Sequence, residues 1–451
     1  MAMSQTHVIV GSGIAGLSAA ETLRERDPGA RILLVSEEAH DFYSRPGLAY
    51  YLRRDVPEKQ LFIRSAADLR TLAIERLIGR VDQLWTERHE LALTSGTRIA
   101  YDRLLLATGA LATPPPFPGN ELAGIVKLDG LDDTRHILRL IQKRKNAVVV
   151  GGGITALEIA EGLNARGMKV HYFLRGKRYW GDVLDETESE IIMERLRHEG
   201  IDLRLETQVK QALGQGGRLT GVETQAGEFI PCVVLGVAIG VKPRVELARQ
   251  AGLKVEKGIV VDTRLRTSAA DVFAAGDAAE VIDPRTGRST LDVLWPTALA
   301  QGKVAGANMA GGNEEYIKGI PFNVTMLTNL RVTIIGAVGS SKSDDPITIT
   351  RGESEAWRVL RRSWTISGHD EVNRVRLVIG ERTLEGAVVM GDQSWSRPLQ
   401  RLICERADIS SIRTALIGGG IAAMAELASF YERWERPPVP GRFVASPVRG
   451  R

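Results

Sequence analysis

The sequence predicts an α/β protein made of two similar strand–helix–strand units followed by a smaller α/β domain, and three observations predict it. A glycine-rich turn, Gly11-Ser12-Gly13-Ile14-Ala15-Gly16, follows the apolar run over residues 8–10. A second, Gly151-Gly152-Gly153-Ile154-Thr155-Ala156, follows the apolar run over 147–150. From about residue 312 the texture changes to alternating strands and then amphipathic helices. Three small residues recur by chance, so neither turn carries weight alone. Their context does: each follows a buried-type strand and opens a helical pattern, as the dinucleotide-binding fingerprint requires. Two Rossmann-like dinucleotide-binding domains plus a C-terminal α/β domain are therefore expected.

Taken in order, residues 8–10 read as a strand, 14–26 as a helix stopped by Asp27-Pro28-Gly29, and 32–35 as the next strand. The stretch 112–119, with four prolines and a final glycine, can be neither helix interior nor central strand and marks a crossover. The second unit repeats the first, with a strand over 147–150, a helix over 154–166, a stop at Gly167 and a strand over 169–174. A helix over 185–199 follows, then short strands near 201–205, 209–213 and 219–224, a buried strand within 232–239, and an apolar strand ending at Gly276-Asp277. Beyond residue 312, strands are expected at 375–379 and 384–390 and helices at 398–406 and 421–434. The tail 437–451, with four prolines, reads as a mobile arm.

At 451 residues the chain is long for one core, and its 43% apolar and 25% charged residues are those of an ordinary globular protein. A net charge of +4 is too small to point to nucleic acid; it is compatible with an acidic partner, although solubility is the plainer reading. The first fingerprint begins at Gly11, leaving no room for a signal peptide, and the apolar stretch 415–425 is too short to span a bilayer. A cytoplasmic protein without a membrane span is expected. The two cysteines, Cys232 and Cys404, form no metal-binding or disulfide pattern, and none of the seven histidines sits at ligand spacing, so no metal site is expected.

In the first fingerprint Gly11 permits the tight turn, Gly13 lets backbone approach a pyrophosphate, and Gly16 packs helix against strand. The helix N-terminus then offers free N–H groups and a positive dipole end to phosphate. Glu37, 21 residues after Gly16, is suitably placed to accept from an adenosine ribose, with Glu38 as the alternative.

The set formed by the first fingerprint, Tyr101 to Gly109 (ending Ala107-Thr108-Gly109), the second fingerprint, and Val272-Phe273-Ala274-Ala275-Gly276-Asp277 resembles the pyridine nucleotide-disulfide oxidoreductase family, across about residues 5–312. The resemblance implies an FAD domain from residues 1–116 and 242–312, a nicotinamide domain over 117–241, and a dimer-forming C-terminal domain over 313–436, hence a homodimer. It implies FAD contacts from Gly11, Ser12, Gly13, Ala15, Gly16, Glu37, Glu38, Arg45, Val81, Ala107, Thr108, Gly109, Asp277 and Trp295. The last of these begins a helix whose N-terminus points at the flavin pyrimidine ring. For the nicotinamide dinucleotide it implies Gly151, Gly153, Ile154, Ala156, Glu158 and the return loop at Gly240.

The segment Tyr43-Ser44-Arg45-Pro46-Gly47-Leu48 is similar to one in rubredoxin reductases, oxygenase-type ferredoxin reductases and apoptosis-inducing factor; the flavoprotein part of nitrite reductase large subunits belongs to the same subgroup. Disulfide reductases carry a cysteine pair near this point, and coenzyme A-disulfide reductases and NADH peroxidases a single cysteine, where this chain has none, so a flavin–thiol relay is excluded. A lysine that ferredoxin reductases often place five residues after the arginine is here Tyr50, which puts its usual partnership with a glutamate in doubt.

The second fingerprint departs from the common pattern. Its third glycine is Ala156, and the strand end where an NADH-selective enzyme carries an acid reads Leu174-Arg175-Gly176-Lys177-Arg178. Arg175 and Arg178 are candidates for a 2′-phosphate, giving NADPH or dual use; solvated cations beside an NADH site are the alternative. Glu158 resembles the family glutamate near the nicotinamide and is the one candidate catalytic side chain, or else pairs with a surface base. The expected activity is an FAD-dependent NAD(P)H:acceptor oxidoreductase in which hydride passes to flavin and electrons leave for an external acceptor, such as a small acidic rubredoxin- or ferredoxin-type protein or a partner subunit. An oxidase or quinone reductase, or a redox-sensing protein resembling apoptosis-inducing factor, are the alternatives.

Overall fold

The computed structural model describes residues 5–339, 364–369 and 373–435; the tail 437–451 lies outside them. Its first sheet has five parallel strands in the order Val272–Ala274, Arg103–Leu106, Thr6–Val10, Arg31–Ser36 and Ile74–Ile78. The central strand is covered on both faces, with Val8 and Ile9 fully buried, which is why its sequence is continuously apolar rather than alternating. The helices Ile14–Arg26 and Trp295–Met309 pack closely against one another. A Cβ on Gly302 would lie 2.2 Å from the Ala15 carbonyl, so the small residue sets their approach.

The second sheet repeats this winding, with parallel strands in the order Ile125–Val126, Val234–Val237, Asn146–Val150, Lys169–Phe173 and Asp202–Arg204. The chain passes between the two units twice, and the crossing segments Ala110–Ala112 and Val241–Pro243 pair antiparallel. The proline-rich stretch after the first crossing is irregular, as its composition dictates.

The third sheet is antiparallel, in the order Phe322–Leu327, Leu330–Gly336, Leu384–Met390, Arg374–Ile379 and Trp364–His369. Its side chains alternate between two cores. Ile335, Ala387 and Val389 face the helices Ser396–Cys404, Arg413–Gly418 and Gly420–Glu435, whereas Val332, Ile334, Val388 and Met390 join the core of the second unit. The apolar stretch 415–425 is divided between two helices by left-handed Gly419 and Gly420. Among the described residues no helix is long and apolar enough to cross a membrane.

Two ion pairs, one buried and one half-buried, join the third sheet to the second unit. Arg376 Nε donates to Glu188 Oε1 at 2.8 Å and Arg374 Nη2 to Asp185 Oδ2 at 2.7 Å. Asp185 and Glu188 form the capping box of the helix Glu186–His198, so the clamp grips that helix by its first turn.

A second junction lies at Glu161, buried on the helix Ile154–Ala165, with Arg53 Nη1 3.4 Å away. Burial pushes the Glu161 carboxyl up to about 7, against the pull of Arg53. Folded Glu161 therefore keeps a proton that the unfolded chain has lost, so its contribution to stability declines as pH rises from about 4.5 to about 7 and is flat above. Glu161→Gln is expected to remove a fall on the order of 1–3 kcal/mol across that window. Thermal midpoints at about pH 5 and about pH 8 check this; an unchanged difference between them in the variant would contradict it.

Candidate functional site: a cavity shared by three helix N-termini

A cavity of about 720 Å³ runs along the carboxyl ends of the first sheet and reaches the second unit and the third sheet. This is where ligands sit in open α/β folds, because strand ends and helix N-termini leave backbone groups free there. Four helices of ten or more residues open onto it. Three of them, with N-caps Gly13, Gly153 and Leu294, make no side-chain capping hydrogen bond and have no acid in the first turn, whereas the fourth, Leu131–Leu140, carries Asp132 and Asp133 there. By contrast, the helices Ala66–Thr71 and Glu186–His198 carry complete capping boxes. The uncapped first turns leave N–H donors and positive dipole ends for anionic or electron-rich groups supplied from outside the chain.

The walls fit a dinucleotide. Gly11 has φ +111° and its hypothetical Cβ would stand 2.1 Å from the Ala107 carbonyl, so the first turn is pressed against the strand end at Ala107-Thr108-Gly109. Gly13 meets nothing within 4 Å on its Cβ side and lines the cavity, leaving room for a phosphate against the backbone. Ser12, Ala15, Val81, Asp277 and Trp295 also line it; Gly16 does not, and a Cβ there would lie 1.9 Å from the Gly11 carbonyl.

Charged groups are already organised around the cradle. Arg45 is ion-paired with Glu38, its Nη1 donates to the Asp129 carbonyl at 2.6 Å, and it lies 5.5 Å from the Tyr43 ring centroid. The Tyr43 hydroxyl donates to Glu38 Oε2 at 2.9 Å, and burial pushes that hydroxyl up to about 12, so it stays a donor. Glu37 is instead ion-paired with Arg244. The Arg244 backbone is held by Thr108 Oγ1, which donates to its carbonyl at 2.7 Å, and by its own N–H, which donates to the Gly109 carbonyl at 2.9 Å.

Arg244 was not singled out in the sequence. The signal was its position immediately after the return crossing Val241–Pro243, which the pairing with Ala110–Ala112 carries back to Gly109. Lys127 and Asp129, whose side chains are 3.2 Å apart, also line the cavity without any motif to announce them.

From the second fingerprint, Ile154 and Glu158 reach the same cavity, whereas Gly151, Gly153, Ala156, Arg175, Arg178 and Gly240 do not line it. A Cβ on Gly151 would lie 2.1 Å from the Ala238 carbonyl, so this turn is pressed against the loop that leads to Gly240, itself at φ +112°. Arg175 is exposed at the strand end, and Arg178 donates from Nη2 to the Gly181 carbonyl at 3.0 Å. Tyr50 lines the cavity with Glu158, and burial first, then the Glu158 charge, raises its hydroxyl above the ordinary tyrosine range. Among the described residues no histidine or cysteine lines the cavity, although His40 lines a small adjoining pocket, and burial pushes the Cys232 thiol up to about 12.

Comparison with known proteins agrees with this geometry. The pattern of the family described as pyridine nucleotide-disulphide oxidoreductase matches residues 5–302. The chain is 32% identical to the ferredoxin–NAD(+) reductase component of the anthranilate 1,2-dioxygenase system of Burkholderia cepacia, over 77% of this chain and 84% of that one. It is 28% identical to an NADH oxidase of Methanocaldococcus jannaschii, over 90% of each chain. In fold it is similar to the ferredoxin reductase for the CYP199A2 system of Rhodopseudomonas palustris, with a TM-score of 0.80 at 26% identity over 91% of this chain and 97% of that chain. Two strand–turn–helix units, the first turn and the start of the second unit's helix lining one cavity, together with a family pattern that matches residues 5–302, identify the chain as a member of the pyridine nucleotide-disulphide oxidoreductase family, an FAD-dependent oxidoreductase that uses a nicotinamide dinucleotide.

Proposed function

We propose that this protein is a reductase that carries electrons from NAD(P)H through FAD to a small iron–sulfur or rubredoxin-type protein. The observation that carries the reading is the cavity itself: three uncapped helix N-termini converge on it, and among the described residues no cysteine lines it to relay electrons through a thiol. Bound FAD supplies the chemistry of accepting a hydride and releasing electrons singly. The chain supplies binding, orientation and field. Residues 1–116 and 242–312 would hold FAD, 117–241 the nicotinamide, and 313–436 would complete the cavity wall and form a homodimer. The start of the helix Ile14–Arg26, with Gly11, Ser12, Gly13 and Ala15, would take the pyrophosphate. Arg45, braced by Glu38, Tyr43 and the Asp129 carbonyl, would fix the flavin side of the cofactor at little entropic cost because its rotamer is already set. Asp277 would orient the ribityl chain, and the N-terminus at Trp295 would stabilise negative charge gathering on the pyrimidine ring.

Ile154 and Glu158 would face the nicotinamide, with Tyr50 in the place of a lysine. Glu37, neutralised by Arg244, would meet the adenosine ribose as one half of an ion pair rather than as a free carboxylate. Arg175 and Arg178 would receive a 2′-phosphate, supporting NADPH or dual use, although the relatives described above are named for NADH or NAD(+). The slight positive charge of the chain suits an acidic carrier in the cytoplasm.

Anaerobic reduction by NADH and by NADPH, followed by a panel of carriers, quinone and oxygen, tests the proposal. Transfer to an iron–sulfur or rubredoxin-type carrier at least about tenfold faster than to oxygen supports it, and the reverse order overturns it. Arg175→Glu is expected to weaken NADPH use roughly tenfold while leaving NADH use within about twofold. An unaltered preference would remove the phosphate role from the basic strand end. An oxidase remains the second reading because the similarity to the NADH oxidase extends over 90% of both chains.

A further inference from the structure

The segment that leads from the helix Trp295–Met309 into the third sheet carries a lysine almost wholly removed from water. The side chains of Lys318 and its ion-pair partner Asp292 are 1% and 2% exposed. Such a pair gains little stability, because desolvating two ions offsets most of their attraction and an apolar pair of similar volume serves as well. Its location is more informative. Asp292 immediately precedes Val293, Leu294 and Trp295, which all line the cavity, and Leu294 is the uncapped N-cap of the helix aimed into it. Two residues before Lys318, the Tyr316 hydroxyl hydrogen-bonds Gln301 and Thr297 of that same helix. Gln301 Oε1 in turn accepts from the Gly276 N–H at 2.7 Å, beside Asp277. Residues 316–318 thus brace both the start of the helix and the turn at 276–277.

We infer that Lys318 and Asp292 form a positioning pair for the flavin: Lys318 holds Asp292, and with it residues 293–295, at the cavity wall, and cancels a carboxylate charge that would otherwise oppose electron gain by the ring. The inference rests on FAD occupying this cavity. In this arrangement the linker to the third sheet is part of the electrostatic surroundings of the cofactor, not merely a connection.

The full-length holoprotein provides the test, with FAD content measured first and the flavin midpoint potential then titrated against reference dyes. Lys318→Met leaves a buried carboxylate and is expected to disfavour the reduced flavin by a factor of about three to ten; Asp292→Asn leaves a buried ammonium and is expected to favour it by a similar factor; the double variant returns to within about twofold of the parent. Opposite signs in the single variants are the signature, since a purely structural role would move both the same way. Shifts of the same sign, or no shift in Asp292→Asn, overturn the pairing. Should Lys318→Met fail to accumulate as folded protein, Lys318→Arg replaces it: a parental potential there together with a shifted Asp292→Asn supports the inference, and an unshifted Asp292→Asn overturns it. A parent protein that retains no FAD would instead overturn the functional reading.

Discussion

Gly11→Ala is expected to produce a folded protein that retains almost no flavin. The new methyl would stand 2.1 Å from the Ala107 carbonyl oxygen and 2.7 Å from its carbon, both backbone atoms at the end of a central strand. No side-chain rotation relieves that overlap, and φ +111° is a conformation alanine rarely adopts, adding strain of roughly 1–3 kcal/mol. The turn must swing away from residues 107–109, which displaces at once two walls of the cradle proposed for the pyrophosphate. A shift of about 1 Å is enough to cost a charge-assisted phosphate contact, so a loss of FAD affinity of about 100-fold or more is expected. Gly13→Ala separates binding from folding: its methyl meets no protein atom within 4 Å, so the fold should be kept while the cradle is filled. Visible flavin absorbance after purification and reconstitution reads both variants. Full flavin content in Gly11→Ala would remove the pyrophosphate from this turn.

Arg376→Met is expected to destabilise the protein by about 3–5 kcal/mol, the usual result of removing one member of a buried ion pair. Arg376 makes three hydrogen bonds in a site only 4% exposed: Nε to Glu188 Oε1 at 2.8 Å, Nη1 to the Val338 carbonyl at 2.8 Å and Nη2 to the Val183 carbonyl at 2.7 Å. Methionine fills part of the volume but offers no donor to Glu188, which is fully buried. Arg374 Nε stays 3.7 Å from Glu188 Oε1, so the carboxylate keeps one weaker partner; adding Glu188→Gln removes its charge and should recover part of the loss, the coupling expected of residues in direct contact. Calorimetry would show the loss as a lowered midpoint for the transition that includes the third sheet. A shift equivalent to less than about 1 kcal/mol would mean that the clamp contributes specificity of docking and not stability.

The two predictions separate local chemistry from long-range assembly, and legibility in the sequence divides along the same line. The helices Ile14–Arg26 and Ile154–Ala165 begin at the predicted residues, because a glycine turn after an apolar strand is a local signal that neighbouring residues fully specify. The last helix, Gly420–Glu435, lies within a residue of its expected bounds at each end, whereas Ser396–Cys404 starts two residues before its predicted start, because the end of an amphipathic helix depends on what its apolar stripe packs against. The roles weighed for Glu37 and Glu38 were open in the sequence, where both are acids after the second strand. In the fold they differ sharply: Glu38 serves Arg45 and Tyr43, while Glu37 meets Arg244, which arrives from more than 200 residues away.

The sequence by itself determined the α/β class, the two nucleotide cradles and the absence of cysteine next to the Arg45-Pro46 segment, since each is a matter of residue type at short spacing. Tertiary structure decided that the first turn and the start of the helix Ile154–Ala165 line one cavity, which carboxylate Arg45 and Arg244 each meet, and that Lys318 and Asp292 lie buried against each other behind the cavity wall. Those choices depend on contacts between residues far apart in the chain, and their burial and pairing arise only when the three sheets pack together. Local pattern specifies a binding turn; the charge that surrounds what it binds is set by the packing of the whole molecule.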